Sequence, residues 1–274
     1  MDISLVVNAD DFGRTDDINR GILYAFQNGI VSSASLMMNF DAFEQAVQMV
    51  KSHGLPVGVH FNLTEGHPVC EATDVASLVD SRGKFFRKTT FILNLMQGRI
   101  SEQDVRTELY AQMHRCLDAG LRPDHFDSHH HIHILPMVSR VCVECAEEFG
   151  ITRTRHVSPP VRGQSLLSMS QQWLTFLAET KLALPAGGST FWGFELMNRP
   201  NKRSVLRQTL QSLRPGVHEL MCHPGFHSEE NIGLYNLERF DELQALCHES
   251  IAEQVKEQRI QLLSFKELNN SHAE

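Results

Sequence analysis

Short, β-rich apolar runs alternate with amphipathic helical stretches along this whole chain, and that alternation constrains the fold more than any other feature. Ile3 to Val7, Val31 to Met38, Pro56 to Leu63, Asp124 to Ser128, Ile151 to Val157, Val217 to Cys222 and Ile260 to Phe265 read as strands, with Ser189 to Phe194 a weaker one. Between them fall helical patterns. Thr15 is an N-cap ahead of Asp16 and Asp17, which complement the helix dipole, and Asn28-Gly29 closes that helix. Asp41 is expected to cap a second helix, with Glu44 at the capping-box position. Further helices are expected over Ser101 to Ala119, Val138 to Glu148, Gln164 to Lys181, Ser204 to Leu213 and Leu237 to Gln258. Residues 67 to 100 look like an insertion, with a turn at Asp80-Ser81-Arg82-Gly83 and a short helix near Phe91 to Gln97. Strands that alternate with helices specify a parallel sheet with helices outside it. At 274 residues the chain suits one domain, 1–274, since α/β barrels often run ~200–250 residues as one domain. The expected fold class is therefore α/β, a distorted or incomplete (β/α) barrel of about seven strands. A doubly wound open sheet is the alternative.

A net charge of −8 argues against a nucleic-acid partner, which would require a basic patch. No apolar run reaches the ~18 residues of a membrane span. Met1-Asp2-Ile3-Ser4 carries no basic n-region, so no signal peptide is expected and the chain is placed in the cytoplasm. The cysteines at 70, 116, 142, 145, 222 and 247 then read as reduced core thiols. Cys142 and Cys145 have the CxxC spacing, but they lie in a helical pattern with no second pair.

In parallel α/β folds the working residues gather at the C-terminal ends of the strands. Four polar clusters fall there: Asp10 and Asp11, His60 and Asn62, the tract His125-Phe126-Asp127-Ser128-His129-His130-His131-Ile132-His133, and His223. Neutral imidazole is the commonest metal ligand, and a neighbouring carboxylate often orients its second nitrogen. Any one cluster has a plain structural explanation: a helix-leading turn for the aspartates, a core histidine for His60 or His223. All four on one rim point instead to a shared metal site. One carboxylate and two imidazoles would supply three protein ligands and leave a position for water. The second aspartate would then serve as base and a histidine on the far side as acid to a leaving amine, a set suited to amide or ester hydrolysis.

Four stretches in this order and spacing resemble the YdjC-like carbohydrate deacetylases, which include the chitooligosaccharide deacetylases. They are Asn8-Ala9-Asp10-Asp11-Phe12-Gly13, Gly58-Val59-His60-Phe61-Asn62-Leu63-Thr64-Glu65-Gly66, the His tract, and Met221-Cys222-His223-Pro224. The resemblance implies a barrel related to the polysaccharide deacetylases, a homodimer and a divalent metal, magnesium in this family. It implies Asp11, His60 and His129 as metal ligands, Asp10 as base, His223 as acid, and Arg155, or else Arg153, reaching the substrate. The donor set itself suits zinc or another transition ion better, because magnesium prefers oxygen. His131 is the first substitute for His129, since alternate residues of an extended tract face the same way.

The expected activity is metal-dependent removal of an acetyl group from an N-acetylated sugar or oligosaccharide. A phosphoesterase on a related barrel is the alternative, although no Lys/Arg cluster accompanies the motifs. A non-catalytic metal or sugar-binding protein would have no need of Asp10 beside Asp11. Residues 157 to 216 match nothing in the family pattern, and their aromatics, Trp173, Phe176, Phe191, Trp192 and Phe194, are more often core than sugar-stacking. Trp192 is the candidate sugar contact, because it follows a strand-like stretch toward the rim.

Overall fold

The structure is a computed structural model that describes residues 2–157, 189–227 and 234–270. In chain order the regular elements begin with β1 (Ile3–Phe12), α1 (Asp16–Asn28), β2 (Ser33–Leu36), α2 (Phe43–His53) and β3 (Val57–Phe61). There follow α3 (Lys88–Met96), α4 (Glu102–Asp118), β4 (Phe126–Ser128) and α5 (Pro136–Glu148). The last described are β5 (Thr190–Trp192), α6 (Lys202–Ser212), β6 (Gly216–Cys222), α7 (Leu234–Leu246), α8 (Glu249–Glu257), β7 (Ile260–Leu262) and α9 (Phe265–Asn270). The seven strands belong to one sheet, and every strand pairing described in it is parallel. The expected helix over Gln164 to Lys181, with Trp173 and Phe176, lies outside the described residues.

The chain gathers into two compact units. One comprises Met1–Leu36, Asp41–Gly58 and Gly188–Glu274, the other Met37–Phe40 and Val59–Gly187. In the first unit β1 is flanked by β2 and β6, β5 adds to β6, and β7 pairs with β1. Leu5, Val6, Val7, Ala9 and Phe12 of β1 are all buried, as are Ile18, Ile22 and Ala25 of α1. Their burial supplies the driving force for the unit, at ~25 cal/mol per Å² of apolar surface. Val6 also packs against Phe265 and Leu268 of α9.

β1 runs five residues past the expected end at Val7: β6 stays paired with it from Ile3↔Gly216 to Ala9↔Cys222, and β2 still pairs with it at Phe12↔Leu36. Against β2 the register shifts: Ala9 faces Ala34 and Phe12 faces Leu36, so one extra residue is accommodated on β1 at Asp10-Asp11. A bulge of this kind re-aims side chains locally. Asp11 takes a left-handed φ of 68° there, uncommon for a residue other than glycine.

In the second unit β4 pairs with β3 along Val59↔Phe126, His60↔Asp127 and Phe61↔Ser128. α4 begins at the Ser101 N-cap, whose hydroxyl accepts from the Asp104 amide, and Val105, Leu109, Met113 and Cys116 form its buried face. The turn expected at Asp80 to Gly83 is closed by the Gly83 amide donating to Asp80 O at 2.9 Å.

Several local expectations need correction. Ala42, not Asp41, occupies the N-cap of α2, and no side chain caps it. Ile151 to Val157 is not a strand: only Thr154 makes an isolated bridge, to Phe126. The single helix expected from Leu237 to Gln258 is two, α7 and α8. His248 breaks it by taking extended geometry and accepting the Ser250 amide on its side chain. The His tract is not extended beyond Ser128. It coils into a 3₁₀ turn over His129–Ile134, with His130 and His131 both left-handed. Among the described residues no helix is long and apolar enough to cross a membrane, and all six cysteines are free.

Candidate active site

The first unit brings together Asp10, Asp11 and His223. Asn8, on the same strand, donates through Nδ2 to Asp10 Oδ1 at 3.0 Å and to Ser35 Oγ at 2.8 Å. That clamp fixes the Asp10 carboxylate, which is buried. Asp11 Oδ2 accepts from Arg239 Nη2 and from Arg14 Nη1, the latter at 3.4 Å. Two guanidinium groups thus face this buried carboxylate.

His223 follows β6, and its Nε2 lies 3.9 Å from Asp10 Oδ2. Its amide donates to Glu242 Oε2 at 2.6 Å, and Glu242 in turn faces Lys202 Nζ at 3.3 Å. Arg239 and Glu242 are three residues apart on α7, so one helix holds both the Asp11 carboxylate and the His223 backbone. The loop past His223 is seated on α1: Phe226 N donates to Asp17 O at 3.0 Å. A Cβ placed on Gly21 would meet Gly225 Cα at 2.4 Å. Burial pushes the His223 pKa below its ordinary value, although the carboxylates of Asp10, Glu242 and Asp11 pull the other way. At neutral pH its imidazole rests uncharged.

The second unit brings together His60, Asp127, Arg155 and His129. His60 Nδ1 donates to Asp127 Oδ1 at 2.7 Å, and Arg155 Nη1 reaches Asp127 Oδ2 at 2.8 Å. Burial pushes the Asp127 carboxyl up, but the Arg155 guanidinium, then His60, outweigh it and hold the group well below the usual carboxylate range. A carboxylate on Nδ1 assigns the His60 lone pair to Nε2, which is how metal-binding imidazoles are commonly oriented. Arg155 is wholly buried.

Loop residues after β3 are locked by Asn62. Its Oδ1 accepts the amides of Thr64 and Glu65 at 3.0 and 3.1 Å, and its Nδ2 donates to Glu65 O at 2.7 Å. Gln112 of α4 exchanges hydrogen bonds with the Asn62 backbone at 3.0 and 2.6 Å. Glu65 is thereby presented to His129, whose Nε2 lies 2.9 Å from Glu65 Oε2.

The remaining histidines of the tract divide by role. Ser128 Oγ accepts the His133 amide at 2.8 Å and faces His133 Nδ1 at 2.7 Å, while His133 Nε2 reaches Arg155 O at 3.3 Å. Burial lowers the pKa of His133 to about 4, so it serves as a neutral strut. Burial, and then the Arg155 charge, likewise hold His131 well below its ordinary value. The premise that made it a substitute for His129, an extended tract, does not hold. His125 pairs through Nδ1 with Asp124 Oδ1 at 2.6 Å.

Among the described residues a carboxylate and two imidazoles that could hold a metal occur together within the second unit, as Glu65, His129 and His130, with ligand atoms within 4.8 Å of one another. Asp10, Asp11 and His223 thus meet in one unit, and His60, His129 and Arg155 in the other. Trp192 is half-buried and donates from Nε1 to His218 Nδ1 at 3.1 Å. The sequence gives no role to Asn8, Glu65, Arg239 or Glu242, whereas the tract's carboxylate, Asp127, does orient an imidazole, that of His60 on the neighbouring strand. Glu65 stands inside a motif and is readable as a partner to a histidine. Arg239 and Glu242 lie in an ordinary amphipathic helix and gave no signal.

The carbohydrate deacetylase of Brevibacillus brevis is 33% identical over 274 residues, covering 97% of this chain and all of that protein. A crystal structure from Enterococcus faecalis V583, of a protein for which cellobiose-phosphate cleavage has been proposed, superposes with a TM-score of 0.80. That match has 24% identity and covers 98% of this chain and 99% of the other. A peptidoglycan N-acetylglucosamine deacetylase superposes with a TM-score of 0.51 at 12% identity, over 96% of this chain and 86% of its own. These structural likenesses bear on fold alone, and the fold is the expected one: α/β, an incomplete (β/α) barrel of about seven strands, similar in fold to that of the N-acetylglucosamine deacetylase. The family model of YdjC-like proteins matches residues 4–257, and the chain belongs to that family.

Proposed function

We propose that the chain, acting as one catalytic domain, is a metal-dependent deacetylase that hydrolyses the acetamide of an N-acetylated sugar or short oligosaccharide. The observation that carries this reading is the Asp10–His223 pair, a clamped carboxylate 3.9 Å from an imidazole, beside a second carboxylate. The full-length likeness to a carbohydrate deacetylase supports the substrate class.

Asp11, His60 and His129 would hold the ion. Their donor set fits one: a carboxylate paired with arginine, and two imidazoles, one with its tautomer fixed by Asp127. The set favours zinc or another transition ion over the magnesium implied by family resemblance. When bound, such an ion supplies Lewis-acid polarisation and lowers the pKa of water.

Asp10 takes the proton of the attacking water at its carboxylate, which Asn8 holds in place. His223, uncharged at rest, receives a proton from the Asp10 side and delivers it to the departing amine nitrogen. Arg155 acts through Asp127 to orient His60. A second reading, phosphoester cleavage, draws only on the phosphorylated sugar proposed as substrate of the Enterococcus protein.

One assay separates the two. Incubation with a panel of N-acetylated sugars and sugar phosphates, before and after chelation, should release acetate, should release it only with metal, and should release no phosphate. Phosphate without acetate would transfer the assignment to the second reading. The expected homodimer and cytoplasmic location belong to the same proposal.

A further inference from the structure

Glu65 and His130 are not used by the reaction proposed above, yet they are placed with care. The Glu65 backbone is held by the hydrogen bonds from Asn62 and by Asn39 Nδ2 donating to Glu65 O at 3.1 Å. His130 is held in the left-handed region at φ 59° and followed by His131 at φ 57°. Two consecutive left-handed residues other than glycine cost of order 1–3 kcal/mol each and persist where the surroundings impose them, often at ligand sites. Here the backbone folds the tract back so that the rings of His129 and His130 lie against each other, centroids 3.9 Å apart and planes tilted by 38°.

The His130 ring is held through Nδ1, which lies 3.0 Å from Thr64 Oγ1. The carboxylate of Glu65 and the imidazoles of His129 and His130 offer ligand atoms within 4.8 Å of one another. Glu65 and His130 are only partly buried, whereas His129 is buried, so the cluster opens outward.

We propose that Glu65, His129 and His130 form a capture position for a divalent transition-metal ion, distinct from the Asp11–His60–His129 set and sharing His129 with it. One oxygen and two nitrogen donors suit zinc, cobalt or copper(II) better than magnesium or calcium. An ion arriving from solvent would meet Glu65 and His130 first. The inference goes beyond the deacetylase reading, because it needs neither Asp10 nor any turnover.

Cobalt(II) titration of the full chain, followed by visible d–d absorption, tests it. In an Asp11→Asn background the chain should still bind cobalt, with about one ion per chain. Adding Glu65→Gln should weaken that binding by at least roughly 10–100-fold, since even the loss of an outer partner of a metal ligand costs that much. His130→Asn, which tolerates the left-handed backbone, should do the same and guards against misfolding of one variant. No cobalt binding in the Asp11→Asn chain would overturn the proposal, as would binding unaltered by both further changes. If these results come out as expected while no sugar releases acetate, the capture position stands and the deacetylase reading falls.

Discussion

At the scale of single residues, the chain spends its polar burial on orientation. Asn8 holds Asp10, Arg239 and Arg14 hold Asp11, Asp127 holds His60, and Arg155 holds Asp127. Each such group, left unsatisfied, would cost about 1–3 kcal/mol. His223 offers the cleanest electrostatic test. Burial lowers its pKa and the Asp10 charge raises it. Removing that negative charge removes a stabiliser of the imidazolium, so Asp10→Asn should lower the pKa further. NMR titration of the His223 ring in metal-free protein should find the wild-type value below the ordinary ~6.5 and the variant lower still. A variant value equal to or above the wild type would mean that Asp10 and His223 are not electrostatically coupled.

At the scale of elements, glycine and capping decide where the site residues point. Gly21 lies inside α1, where alanine would normally be better by about 1 kcal/mol. Here the sign reverses, because the added Cβ would strike Gly225 Cα, backbone that cannot swing aside. Gly21→Ala should destabilise the protein by about 1–3 kcal/mol, as overpacking does, and should lower kcat by displacing the loop that carries His223. Urea unfolding and turnover check this together; a stabilised, fully active variant would show that α1 does not seat that loop. The elements were unevenly legible in the sequence. Thr15, Ser101 and Gly29 announced helix ends because a side chain or a glycine does the capping. The α2 start was misplaced because its cap, Ala42, makes no side-chain hydrogen bond. The break at His248 was missed because a histidine that accepts an amide looks, in sequence, like any polar helical residue. β1 is longer than its apolar run because tertiary pairing, to β6 as far as Ala9 and to β2 at Phe12, carries it through the polar residues.

At the scale of the whole molecule, strand–helix alternation was sufficient to name the fold class, since few architectures bury that pattern. Polar residues at strand ends singled out Asp10, Asp11, His60, His129 and His223, because functional groups in a parallel α/β sheet gather at the C-terminal strand ends. What could not be read was the support from distant segments. Arg239 reaches Asp11 across 228 positions of sequence, and no local pattern encodes such a pairing. The His tract misled in its geometry, since two left-handed histidines in a row defy the extended reading that their neighbours suggest.

The central claim is a division of labour between adjacent aspartates, and the metal dependence of turnover in two variants tests it most directly. With an active N-acetylated sugar, Asp10→Asn should keep the metal requirement of the wild type while kcat falls by roughly 10²–10⁴, as loss of a general base does. Its KM should change little, because the base acts in the transition state. Asp11→Asn should instead need far more metal for half-maximal turnover and recover activity as metal is raised. Recovery of Asp10→Asn by excess metal, with Asp11→Asn unresponsive, would mean that the two roles are exchanged. Full turnover by Asp10→Asn at ordinary metal would contradict the account outright.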